Sequence, residues 1–149
     1  MIENSYLIWA GCAVGIAWLW VCIWEWIIAK KALDALGRNP DISWTLLVYT
    51  ILWIALTESA AIYWLIIALN IIWNPWLAAM QAVWAGLAVW VAGAGAGIWE
   101  WLAAWQALTA ICRNPDNKWQ VLTFMILFIA LVESAAIYWL IIALNILWK

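Results

Sequence analysis

The chain is 149 residues long, 71% hydrophobic and 9% charged, with a formal net charge of −2. This composition excludes an ordinary water-soluble domain and places the chain among membrane proteins; no nucleic-acid partner is expected. A membrane-spanning barrel would alternate apolar and polar residues over about ten positions per strand, a pattern this sequence lacks, so the spans are read as helices.

Four apolar stretches follow in chain order, near Tyr6–Ala29, Ile42–Trp73, Trp76–Ile111 and Trp119–Trp148. Each exceeds the roughly 20 helical residues that cross a hydrocarbon core, and their ends are expected to project into water. The first begins after Glu3 rather than a basic segment and is too long for a signal core, so it is expected to stay in the mature protein. Asn74-Pro75 joins the second and third stretches, a turn where Pro is expected to open the next helix. Cys12, Cys22 and Cys112 fall in or near the spans, and there is no His and no CxxC. These thiols suggest neither a disulfide framework nor a zinc site, and read as small packing residues.

The sequence repeats itself. ESAAIYWLIIALN fills Glu58–Asn70 and returns unchanged at Glu133–Asn145. Arg38-Asn39-Pro40-Asp41 matches Arg113-Asn114-Pro115-Asp116, and Ile23-Trp24-Glu25-Trp26 matches Ile98-Trp99-Glu100-Trp101, always at an offset of 75. The fold class is therefore an all-α membrane protein of two tandem hairpins, residues 1–74 and 75–149.

Each hairpin carries two carboxylates inside its spans. Glu25 lies 15 residues before Pro40 and Glu58 18 after it, so both sit roughly 22–27 Å from the loop at 1.5 Å per residue. Glu100 and Glu133 repeat the arrangement. An ionisable group at such depth is costly, and marks a functional site by default. Five of the six basic residues, Lys30, Lys31, Arg38, Arg113 and Lys118, flank the two RNPD loops. By the positive-inside rule these loops face the cytoplasm, with both termini and the central turn outside.

The RNPD loop, the intramembrane ESAAIY and the preceding-helix Glu together resemble the c subunit of rotary ATP synthases, the proteolipid of the rotor ring. The likeness covers nearly the whole chain. Tandem fusion resembles the duplicated proteolipids of V-type and some F-type enzymes. The resemblance implies a non-catalytic, multi-pass subunit of a bacterial inner membrane. Its expected partners are copies of itself in a closed ring, a stator a subunit, central-stalk subunits that dock on Arg38–Asp41 and Arg113–Asp116, and membrane lipid. It implies no cofactor beyond the transported ion.

Carried over by position, the sodium-type ion site of that family falls on Glu25, Leu56 (by its carbonyl), Glu58, Ser59 and Tyr63, and again on Glu100, Leu131, Glu133, Ser134 and Tyr138. Na+ is a hard cation that prefers such oxygen ligands; H+ is the other candidate. Ala60 and Ala135 depart from the family, where Thr often follows the Ser. Each site holds two carboxylates, of which the first-helix Glu is expected to keep a proton and donate a hydrogen bond. The alternatives are an engineered or non-translocating membrane ring or pore built on the same hairpin, and a small channel using the paired carboxylates.

The chain has 18 Trp, too many for interfacial belts alone. The family's first helix carries a glycine ladder. Here it reads Trp18, Trp20, Cys22, Trp24, Trp26 in one copy and Gly93, Gly95, Gly97, Trp99, Trp101 in the other. Trp53, Trp64, Trp105 and Trp139 also occupy family glycine positions, and Gly15 corresponds to Trp90. Either the seam was filled deliberately, or a UGA codon that specifies glycine has been translated as Trp; the coding DNA distinguishes the two. Trp along a packed seam is expected to overpack it, widening the ring or splaying the first hairpin and parting Glu25 from Glu58.

Overall fold

A computed structural model describes residues 5–74 and 76–149. Four long helices account for nearly all of them: α1 (Ser5–Arg38), α2 (Ser43–Trp73), α3 (Ala79–Arg113) and α4 (Lys118–Leu147). All four are long and apolar enough to cross a membrane, and among the described residues there is no strand and no break within a helix. The N-terminal Glu3 lies outside the described residues.

The helix ends follow local chemistry. Proline has no N–H to continue a helix and restricts the residue before it. α1 accordingly stops at Arg38, with the Asn39 N–H closing on the Ala35 carbonyl at 2.9 Å. A single 3₁₀ turn, Pro40–Ile42, reverses the chain, and the Ser43 N–H donates back to the Pro40 carbonyl. The second hairpin turns in the same way through Pro115–Asn117. α1 extends nine residues beyond the expected Ala29, because Lys30–Arg38 continues the helix into a charged end where Asp34 meets Lys31 at 3.5 Å and Arg38 at 3.2 Å.

The central connection differs from expectation. Pro75 itself lies outside the described residues. α3 opens only at Ala79, where the Ala78 N–H donates to the Gln81 side chain at 3.1 Å. The Gln81 side chain thus satisfies one of the orphan donors of the first turn.

α1 packs on α2 and α3 on α4 as antiparallel hairpins, and α3 also lies against α1 and α2. Two apolar clusters form the core. One, toward the termini, contains Val21, Ala61, Trp64, Ile67, Ala85 and Val89. The other, toward the loops, contains Ile28, Leu46, Trp53, Ala104, Ile111 and Ile129. The four carboxylates fall between the two clusters, so the polar level of the molecule is sandwiched by apolar layers. Near the loops the hairpins are tied by Tyr49, whose hydroxyl donates to the Lys118 carbonyl at 2.8 Å.

The tryptophans do not overpack the seam inside the chain. Trp24 and Trp64 are buried, and each fills the space left by a glycine of the other copy, Gly97 and Gly93. Trp18, Trp20 and Trp26 turn outward and are exposed. α1 and α2 of the first hairpin pack against each other. The indole N–H groups of Trp53, Trp90 and Trp101 are buried without a partner, each an unpaired donor that costs about 1–3 kcal/mol.

Candidate functional site

Among the described residues no three Asp, Glu, His or Cys side chains converge on one point. The glutamates lie two to a hairpin instead: Glu100 is set beside Glu133, and Glu25 and Glu58 stand on the packed helices α1 and α2. The two pairs have different surroundings although their local sequences are nearly the same.

Glu100 is 1% exposed, and no hydroxyl or N–H group of the described residues donates to its carboxyl oxygens; the group beside it is the Glu133 carboxyl. Buried polar groups are normally paired, so a carboxyl whose neighbour is a second carboxyl has the chemistry to hold a shared proton or a cation. Glu133 is half-buried and accepts two hydrogen bonds, both from the other hairpin. The Ser59 hydroxyl donates to its Oε1, and the Tyr63 hydroxyl donates to its Oε2 at 2.9 Å. The complete set of side chains is thus Glu100 from α3, Glu133 from α4, and Ser59 and Tyr63 from α2.

This grouping differs from the copy-by-copy sets expected from the sequence, in which Ser59 and Tyr63 serve Glu58. Helix geometry gives the reason. Consecutive residues point about 100° apart around a helix, so Ser59 faces away from Glu58. Ser59 and Tyr63, four residues apart, share one face. Leu56, three residues before Ser59, lies on that same side. The ESxxxY spacing therefore presents its hydroxyls to one neighbour and its carboxylate to another, a signal available in the sequence once the period is applied.

Glu58 is exposed and Glu25 half-buried, and neither takes part in a salt bridge among those of the described residues. Lys30, the cation nearest Glu25 in sequence, instead lies over the Trp26 ring at 5.5 Å. The second-copy hydroxyls stand on the opposite edge of the chain. Tyr138 is 66% exposed, and the Ser134 hydroxyl folds back onto the Leu131 carbonyl of its own helix at 2.7 Å. Identical sequence thus adopts two arrangements. Ser59 reaches across a seam to a carboxylate, whereas Ser134 has no neighbour to reach and turns inward.

The RNPD residues sit at the two hairpin turns, far from the carboxylate level. Asp41 and Asp116 lie in the first turn of each 3₁₀ segment. Asn39 donates through its side chain to the Cys112 carbonyl at 3.5 Å, which holds the two turns side by side. Cys12 and Cys22 are exposed, and Cys112 is half-buried with its thiol 3.6 Å from the Ala35 carbonyl.

Two segments of the chain, residues 8–71 and 83–146, each match the family model of the ATP synthase c subunit. Each match runs from the first helix of a hairpin through its RNPD turn to the second helix, and together they cover most of the chain. The chain therefore belongs to the ATP synthase c-subunit family, whose members form an ion-translocating rotor ring, and it carries the family's hairpin twice.

Proposed function

We propose that this protein is a rotor-ring subunit that carries Na+ across the membrane on its intramembrane carboxylates, coupling this movement to ATP synthesis or hydrolysis. The observation that carries the reading is the buried Glu100 carboxyl set beside Glu133, with two hydroxyls from the neighbouring hairpin directed at the latter. One proton and one monovalent cation balance two carboxylates in a low-dielectric layer, where an uncompensated charge is costly. The donor set is all oxygen, which suits Na+. The Leu56 carbonyl, on the same helix side as Ser59 and Tyr63, is a further ligand for this site.

The repeat units are residues 1–74 and 75–149, and each contributes one half of two sites. Glu133 is served by Ser59 and Tyr63 within the chain. Glu58, with Glu25, lacks such partners on its edge, while Ser134, bonded only within its own helix, and the exposed Tyr138 stand on the other edge. A second copy set against the first as one hairpin is set against the other brings these halves together. Leu131 takes the place of Leu56 there, and its carbonyl is released when Ser134 turns outward to Glu58. Successive copies generate a closed ring with α1 and α3 on its inner wall. A stator a subunit exposes each site in turn, and its Arg displaces the ion from Glu58 or Glu133. The RNPD turns face the cytoplasm, where Arg38–Asp41 and Arg113–Asp116 dock the central stalk, and the termini lie outside.

Carbodiimide labelling tests the ion. Glu133 should be modified when Na+ is absent and protected when Na+ is added. Labelling that responds to pH but not to Na+ would replace Na+ by H+ as cargo. No labelling at either Glu58 or Glu133 would favour a ring that transports nothing.

Tyr63→Phe gives a finer measurement. It removes one hydrogen bond to a carboxylate, a contact worth about 1.5–3 kcal/mol. The Na+ concentration for half-protection of Glu133 is expected to rise by about tenfold or more. An unchanged midpoint would remove Tyr63 from the site.

A further inference from the structure

The hairpin-to-hairpin seam inside the chain depends on glycines that the copy-to-copy seam does not have. Trp64 lies against Gly93, where an added Cβ would come 2.6 Å from the indole ring. Its indole N–H donates to the Val89 carbonyl at 2.7 Å. Trp24 lies over Gly97, where an added Cβ would overlap the ring outright. A second copy docked in the same way substitutes every residue by its partner at the offset of 75. Trp139 then meets Trp18 where Trp64 meets Gly93, and Trp99 meets Cys22 where Trp24 meets Gly97. In the single chain Trp18, Trp99, Trp139 and Cys22 are all exposed, so all four are available to that seam. The tie made by the Tyr49 hydroxyl is also lost, because Phe124 stands in its place.

Two indoles do not fit where one indole and a hydrogen atom fit, and a cysteine Cβ does not fit under an indole that excludes any Cβ. The two seams are therefore different in kind. We propose, on the ring reading above, that each chain carries two unequal carboxylate sites. The Glu133 site within the chain is closed, and the Glu58 site between chains is more open, with Trp18 and Cys22 setting the difference. α1, which carries both residues, also carries Glu25. Displacing it from the neighbouring copy draws Glu25 and Glu58 away from the Ser134 and Tyr138 hydroxyls that complete the second site.

The test compares the two carboxylates in one preparation. Ring purified in mild detergent, its assembly verified by native mass spectrometry, is treated with dicyclohexylcarbodiimide without Na+. Modification of Glu58 and Glu133 is then followed in separate peptides, whose flanking sequences distinguish them. Glu58 should react about tenfold faster, as expected for a seam overpacked at two positions and opened locally. The double variant Trp18→Gly/Cys22→Gly should bring the two rates within about twofold by restoring the notches that Gly93 and Gly97 supply. Trp99→Gly/Trp139→Gly relieves the same conflict from the other side, and reads it if the first variant does not assemble. Equal rates in an assembled ring of the unaltered chain would overturn the proposal and leave the ring reading standing. A persisting difference in either assembled variant would overturn the roles of Trp18 and Cys22. Failure of the unaltered chain to form any ring would overturn the ring reading, and the proposal with it.

Discussion

Replacing Glu58 and Glu133 together by Gln is expected to abolish ion-dependent coupling of the assembled ATPase, while each single replacement removes one of two ion sites per chain. Gln preserves the shape of the side chain and still offers an oxygen to Ser59 and Tyr63, so the seam should survive in Glu133→Gln. What is lost is the negative charge opposite the cation. Removing one partner of a buried charge pair costs about 3–5 kcal/mol, which corresponds to roughly a thousandfold in affinity. Glu100 alone does not compensate, because its carboxyl is enclosed and has no donor of its own. Na+-dependent ATPase activity reconstituted with each variant measures the effect. Coupling left intact in Glu58→Gln/Glu133→Gln would sink the assignment of both residues.

The helices, the turns and the family are legible in the sequence because each rests on a strong local signal. Long apolar runs have few alternatives in a membrane, Asn-Pro stops a helix wherever it occurs, and the offset of 75 pairs the two copies residue by residue. The grouping of the site is not legible copy by copy, because a motif read as a string ignores direction around the helix. Glu58 and Ser59 are adjacent in sequence yet face different neighbours, and only packing shows that Ser59 and Tyr63 reach Glu133. The effect of the tryptophans escapes the sequence for a related reason. Volume along one ladder says nothing of what stands opposite. Trp24 and Trp64 are accommodated because the other copy keeps Gly97 and Gly93 at the facing positions. A repeat with diverged copies can therefore be complementary to itself within the chain and mismatched between chains.

Gly97→Ala is expected to be the most damaging small change in the chain, and its neighbour in the ladder supplies the control. A Cβ at position 97 would overlap the indole ring of Trp24, whereas a Cβ at Gly95 would meet nothing within 4 Å. Both glycines lie in the interior of α3, where Ala is the better helix former by roughly 0.5–1 kcal/mol. Gly95→Ala should therefore be neutral or slightly stabilising. At position 97 that gain is outweighed by displacement of a large buried ring, since Trp24 is only 4% exposed and its ring lies 6.2 Å from that of Trp20. Forced overpacking costs about 1–3 kcal/mol, and here it acts directly on the contact that seats α1 against α3. The midpoint of thermal unfolding in detergent should fall for Gly97→Ala and hold or rise for Gly95→Ala. Trp24→Gly in the Gly97→Ala background should recover much of the loss, because it removes the ring that the new methyl group strikes. In a double-mutant cycle the two changes should be non-additive, as expected for residues in direct contact. Equal effects of Gly95→Ala and Gly97→Ala, or additive effects of Gly97→Ala and Trp24→Gly, would show that the indole is not seated on Gly97, and would remove the geometric basis for two unequal seams.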